Sequence, residues 1–304
     1  MTQQSVSLDS KKDYRQGLIS VIGSSVWWGI MPIYWQWLKP IDSIVIIFYR
    51  IVLVALVCII AAFLVHKKEE IFAPLKNKKL VARLILAGAI ITLNWSLYIY
   101  AVNSENVIQS CIGYYIEPLV VCLFGTIFFK EKINTHKAIA LIMGGIGVIA
   151  VIFYFKQVPT LALGIAFSFA IYAAMKKGLG MSPIISLLYE TVFLAPFALI
   201  VIFYIETHGI GALAVGSGLK YFLLMFCGLF TAFPLVLFAN GANKTSMFIL
   251  GLTEYISPTI ALFLSIFYFK EEFYPIQLIA FAVIWVGLVF FTMGEYREYK
   301  NDSI

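Results

Sequence analysis

The 304-residue sequence predicts an all-α integral membrane protein, ten transmembrane helices arranged as two inverted five-helix repeats. Three observations carry that expectation. Hydrophobic residues make up 62% of the chain and charged residues 12%, with a mean hydropathy of +0.93, whereas soluble domains carry about 25% charged residues. Ten apolar runs follow one another, each near the ~20 residues that take a helix across a ~30 Å hydrocarbon core. Finally, Gly113-Tyr-Tyr-Ile-Glu-Pro118 leading to Phe129-Lys-Glu131 returns as Tyr255-Ile-Ser-Pro258 leading to Phe269-Lys-Glu271, shifted by 140 positions. The same shift carries Tyr49 to Tyr189, Gly88 to Gly228, Asn103 to Asn243 and Gly147 to Gly287. A repeat of this length in a membrane chain points to a transporter.

Taken in order, residues 1–16 are polar, with Lys11, Lys12 and Arg15 ahead of the first apolar run, and read as a cytoplasmic segment. The run 17–38 is too long for a signal-peptide core and lacks a small-residue cleavage site, so it reads as an uncleaved first span. Spans two to five follow at 41–65, 80–102, 107–129 and 136–155, completing a first half over 17–155. The second half, 156–293, holds spans at 160–175, 182–205, 220–240, 247–269 and 274–293, before a tail at 294–304.

Lys and Arg set the orientation. With the N-terminus inside, the clusters around Lys67 to Arg83, Lys130 to Lys137, Lys176 and Lys177, Lys244, and Arg297 and Lys300 all face the cytoplasm. Only Lys39, Lys156, Lys220 and Lys270 fall outside. This bias places both termini in the cytoplasm. Five spans per half is an odd number, so the second half enters the bilayer upside down relative to the first.

The net charge of +6 does not indicate nucleic acid, because the basic residues sit in short loops and form no continuous face. Cys58, Cys111, Cys122 and Cys227 lie inside apolar runs without metal-ligand spacing, so neither a disulfide framework nor a metal is expected. No phosphate-binding G-x-x-x-x-G-K-[ST] occurs, so no nucleotide cofactor is expected and transport energy must come from a gradient. No His falls within a span to serve an intramembrane enzyme.

The motifs Trp28-Gly-Ile-Met-Pro-Ile-Tyr-Trp35, Tyr49-Arg50, Asn94-Trp-Ser-Leu-Tyr-Ile-Tyr-Ala-Val-Asn103, Gly113 to Leu119 and Tyr255-Ile-Ser-Pro-Thr259 carry a resemblance. The chain resembles the drug/metabolite transporter superfamily of EamA type, and more narrowly its RarD branch, named for chloramphenicol sensitivity. Glu117 departs from the Asn more usual at that place in the family. The resemblance implies a ten-helix inner-membrane permease for small organic metabolites.

Charged groups inside spans are costly and are expected to face the bundle interior. Arg50 lies mid-span, and its counterpart after 140 positions is Glu190. Two readings follow: Arg50 holds a substrate carboxylate or joins Glu190 in a gating pair, or the two form a purely structural ion pair. Gln109, Gly113 and Glu117 share one face of the fourth span. Glu117 is the candidate for cation binding or proton coupling, with Glu254 as a second acid near the ninth-span break at Pro258. Either carboxyl also suits an interhelical hydrogen bond with no ligand role.

Trp28, Trp95, Tyr98, Tyr114 and Tyr255 are expected to shape the pocket, since aromatic faces around an acid hold organic cations. Asn94 and Tyr98 lie one turn apart and offer an amide and a hydroxyl together. Trp35, Trp37, Tyr204 and Tyr221 are read as interface belts. Gly144, Gly145, Gly147 and Gly287 mark the fifth and tenth spans as scaffold or homodimer faces, and the two Lys-Glu turns as helix-end anchors. The expected function is a secondary-active permease of a small organic metabolite, or of an amphipathic, cationic or zwitterionic compound. Its partners are that substrate and the lipid bilayer. Proton-coupled export of drugs such as phenicols, and a membrane sensor without transport, are the alternatives.

Overall fold

A computed structural model describes residues 3–103, 107–156, 160–270 and 275–301. Glu271 therefore lies outside the described residues, as does the side chain of Gln109. The elements in order are α1 (Gln3–Leu38), α2 (Ser43–Val65), α3 (Lys68–Phe72), α4 (Lys78–Asn103), α5 (Val107–Phe129), α6 (Thr135–Phe155) and α7 (Thr160–Lys176). They continue as α8 (Pro183–Val192), α9 (Ala195–Thr207), α10 (Gly218–Met225), α11 (Cys227–Lys244), α12 (Met247–Glu254), α13 (Ile256–Leu264) and α14 (Pro275–Asn301). Polar residues just outside the apolar runs start several of them: Asp42, Asn134, Ser217 and Ser246 each accept from a first-turn amide of the following helix.

Among the described residues seven stretches are long and apolar enough to cross a membrane: Lys11–Leu38, Ser43–Val65, Lys78–Tyr98, Ile112–Phe129, Thr135–Phe155, Gly218–Lys244 and Met247–Phe269. An eighth is the pair α8 and α9, bent by 50°. Thr160–Lys176 and Leu278–Gly294 are shorter apolar helices. The expected seventh span is thus broken at Phe193 and Leu194, because Pro196 sits in the first turn of α9 and restricts the backbone before it. The ninth is broken at Tyr255, three residues before Pro258. The outer segments are not loops where the structure describes them: α1 begins at Gln3 and α14 runs on to Asn301.

Small residues decide which helices approach. Ala162, Ala166, Ala170 and Ala173 form one buried face of α7, and Gly113 of α5 lies against the Ala162 carbonyl. Around them Val121, Phe238, Phe248 and Tyr255 form a buried core. Pro234 inside α11 deprives the Phe230 carbonyl of its helical donor, and Trp27 Nε1 of α1 donates to that carbonyl at 3.0 Å.

Contacts also repeat at the 140-residue shift. Tyr255 Oη donates to the carbonyl of its own counterpart, Tyr115, at 3.0 Å. A Cβ on Gly147 would meet the Ala280 carbonyl at 3.1 Å, and one on Gly287 would meet the Ala140 carbonyl at 3.3 Å. Tyr49 Oη reaches Glu206 at 2.7 Å, while Tyr189 Oη reaches the Ile71 carbonyl at 2.9 Å. Lys130 and Lys270 both take the left-handed backbone, with φ of 53° and 54°.

Candidate functional site

Five charged groups within the helices, Arg50, Glu117, Lys176, Glu190 and Glu254, fall into three clusters. In the first, Arg50 of α2 is partly buried and lies over Trp95 of α4, its Cζ 3.7 Å from the ring centroid, with the Trp35 ring of α1 at 5.6 Å. Arg50 Nε is buried without a hydrogen-bond partner. Among the described residues no ion pair involves Arg50. Tyr114 of α5 is within electrostatic reach of the guanidinium, and its ring packs against Tyr98 of α4 at 5.7 Å. Tyr98 and Tyr114 are 37% and 38% exposed.

The second cluster holds two acids. Glu117 of α5 and Glu254, the last residue of α12, are both buried, and Glu254 is within electrostatic reach of Glu117. Ser25 of α1 donates to Glu254 at 3.3 Å. Gly251 permits the approach of the two helices, since a Cβ there would stand 2.6 Å from the Pro118 carbonyl.

Glu190 of α8 anchors the third. Lys176 Nζ lies 2.5 Å from its carboxylate, Ser186 Oγ 2.7 Å and Tyr172 Oη 3.2 Å, and both charged side chains are sealed from solvent. Lys176 also donates to Ser186 at 2.7 Å. The expected Arg50–Glu190 gating pair is therefore corrected. Glu190 is neutralised by Lys176, which the charge pattern had assigned to a cytoplasmic loop.

Polar contacts also tie together the connections at one end of the bundle. Glu131, after α5, accepts from the Met247 and Phe248 amides at 2.7 and 3.1 Å and so caps α12. Lys177 joins it at 3.6 Å and donates to the Thr245 carbonyl. Burial holds the Lys177 ammonium below its usual pKa, and Glu131 opposes that shift. Ser182 meets His66 at 2.8 Å, and Arg83 donates to the Met175 carbonyl at 2.7 Å. The Lys-Glu turn at 130–131 is thus a helix-end anchor, as expected.

The expected site residues separate on inspection. Arg50, Trp95, Tyr98 and Tyr114 come together, and Glu117 and Glu254 form their own pair. Asn94 instead staples α4 to α7, donating to the Ile165 carbonyl at 2.8 Å and to Ser168 at 3.0 Å. Tyr255 is buried with its hydroxyl on Tyr115. Trp28 packs against Phe169 and Phe238 at ring distances of 6.1 and 5.6 Å. The Trp35 ring also lies beside Arg50. Sequence reasoning missed Lys176 and Ser186, although Tyr172 with Lys176 and Ser186 with Glu190 are i,i+4 pairs. An apolar crevice of about 280 Å³, lined by Phe48, Ile51, Leu93, Leu194 and Phe197, carries none of these charged groups.

The model of the EamA-like transporter family matches residues 15–153 and, a second time, residues 158–293. An uncharacterized transporter of Bacillus subtilis, YojE, is 35% identical over 288 residues, covering 93% of this chain and 95% of that protein. Protein RarD of Streptomyces exfoliatus is 31% identical, covering 97% and 94%. Protein RarD of Escherichia coli is 28% identical, covering 96% and 99%. A solved crystal structure shares the fold with a TM-score of 0.71 at 13% identity, covering 91% of this chain and 97% of that one. With several apolar helices and a family match over most of its length, this multi-pass membrane protein belongs to the EamA-like transporter family.

Proposed function

We propose that the protein is a secondary-active carrier of a small organic metabolite of amphipathic, cationic or zwitterionic character. It works by alternating access between two inverted five-helix halves of the inner membrane, with both termini cytoplasmic. Ten crossings are reached if the seven long spans are joined by the bent pair α8 and α9 and by the two shorter apolar helices. The observation that carries this reading is reciprocity at the 140-residue shift. A residue touching its own counterpart, as Tyr255 touches Tyr115, is what a two-fold relation between the halves produces, and so supports it. Gly147 on Ala280 and Gly287 on Ala140 repeat that relation where α6 packs on α14. The twofold match of one family model over 15–153 and 158–293 supports the same halves.

In this mechanism the chamber around Arg50 binds the substrate, and the polar ties around Glu131 and Lys177 form the gate that opens when the halves rock. Glu117 and Glu254 supply the coupling site, since paired acids away from water are suited to exchanging a proton or cation. Lys176 and Glu190 hold α7 to α8 as a rigid unit. The packing of α6 on α14 makes the scaffold, while Gly145, with no neighbour near its Cβ position, faces a surface open to a second copy. The test is flux in proteoliposomes under imposed pH gradients. Wild type is expected to show gradient-driven flux, and Glu117→Gln to lose its pH dependence while still binding substrate. Gradient-driven flux absent from the wild-type protein contradicts the carrier reading. Unchanged pH dependence in the variant removes Glu117 from coupling.

A further inference from the structure

We infer that Arg50 is the docking point for the carboxylate of the substrate, so the substrate is an organic monocarboxylate or zwitterion with an apolar or aromatic body. The inference rests on the carrier reading for its purpose and on geometry for its content. A guanidinium presents five donors in a planar fork that matches a carboxylate through two parallel hydrogen bonds. Here Cζ of that fork stands 3.7 Å from the Trp95 ring centroid, and Nε is buried with no hydrogen-bond partner. A donor kept from water without an acceptor is unfavourable unless something arrives to accept from it.

The repeat explains why no internal group does so. Around Glu190 the second half places Tyr172, Lys176 and Ser186, and the counterparts of these three in the first half are Pro32, Gln36 and Ile46. None of the three is ionised, so these positions supply no counterpart to the neutralising partner that Glu190 has, and no ion pair involves Arg50 among the described residues. The Arg50 charge is left to a ligand. One cation without a second beside it suits a monoanion better than a phosphate dianion, because Lys176 is already committed to Glu190. The rings of Trp35, Trp95, Tyr98 and Tyr114 give the body of such a ligand flat apolar surfaces.

Binding to the purified full-length protein in nanodiscs tests this. The probes are benzoate, indole-3-acetate and phenylalanine, each compared with its amide, and phenethylamine as a cation lacking the carboxylate. At least one acid is expected to bind roughly tenfold or more tightly than its amide, as loss of a charge-assisted hydrogen bond requires. Arg50→Gln is expected to erase that preference, and Arg50→Lys to keep part of it through charge alone. Amides binding as well as acids, phenethylamine binding while no acid does, or an Arg50→Gln protein that keeps the preference overturns the assignment. The acid-amide comparison on wild type stands even if the variants fail to fold. Acid binding without any flux leaves the anion site intact and overturns the carrier reading instead.

Discussion

Arg50 and Glu190 occupy counterpart positions 140 residues apart, on α2 and on α8, yet their surroundings differ completely. Glu190 is wrapped by an ammonium and two hydroxyls. Arg50 rests on an indole with its Nε unbonded. Glu190 fastens two helices, whereas Arg50 has no ion-pair partner among the described residues. The two positions are related by the same sequence shift, and a few neighbouring residues set them apart.

Breaking the sealed side is expected to have the largest effect. Glu190→Gln leaves Lys176 buried and uncompensated, and removing one partner of such a pair costs about 3–5 kcal/mol. The unfolding midpoint in detergent is expected to fall accordingly and to recover in large part when Lys176→Met is added. A single variant as stable as wild type contradicts the structural role given to the pair. The open side is expected to respond weakly. Arg50→Gln changes stability by no more than ~1 kcal/mol, because a cation–π contact of roughly 0.5–2 kcal/mol is offset by removal of a cation without a counter-ion. If its midpoint drops as far as that of Glu190→Gln, Arg50 has an internal partner and the contrast between the halves disappears.

Much of the frame was legible in the sequence because it rests on apolar length and on a constant shift. Apolar runs predict helices without knowledge of neighbours, and the Pro, Gly and Lys-Glu positions recur without insertion. The partners were not legible. Lys176 follows an apolar run and precedes Lys177 and Gly178, the pattern of a cytoplasmic loop, but it is the final residue of α7 and turns inward to Glu190. Asn94 reads the same whether its amide meets a ligand or the Ile165 carbonyl, since only the neighbouring helix decides. Trp35 lies near the end of α1, where a belt residue belongs, and its lean towards Arg50 has no sequence signal. The break at Phe193 and Leu194 did have one in Pro196, whose place within a continuous apolar run concealed it.

The comparison depends on the halves running in opposite directions, and side-specific labelling tests this most directly. Lys78 opens α4 and its counterpart Gly218 opens α10. In a cysteine-free background, Gly218→Cys is expected to react with a membrane-impermeant maleimide in intact cells, and Lys78→Cys only after permeabilisation. Labelling of both positions from the same side contradicts the inverted arrangement.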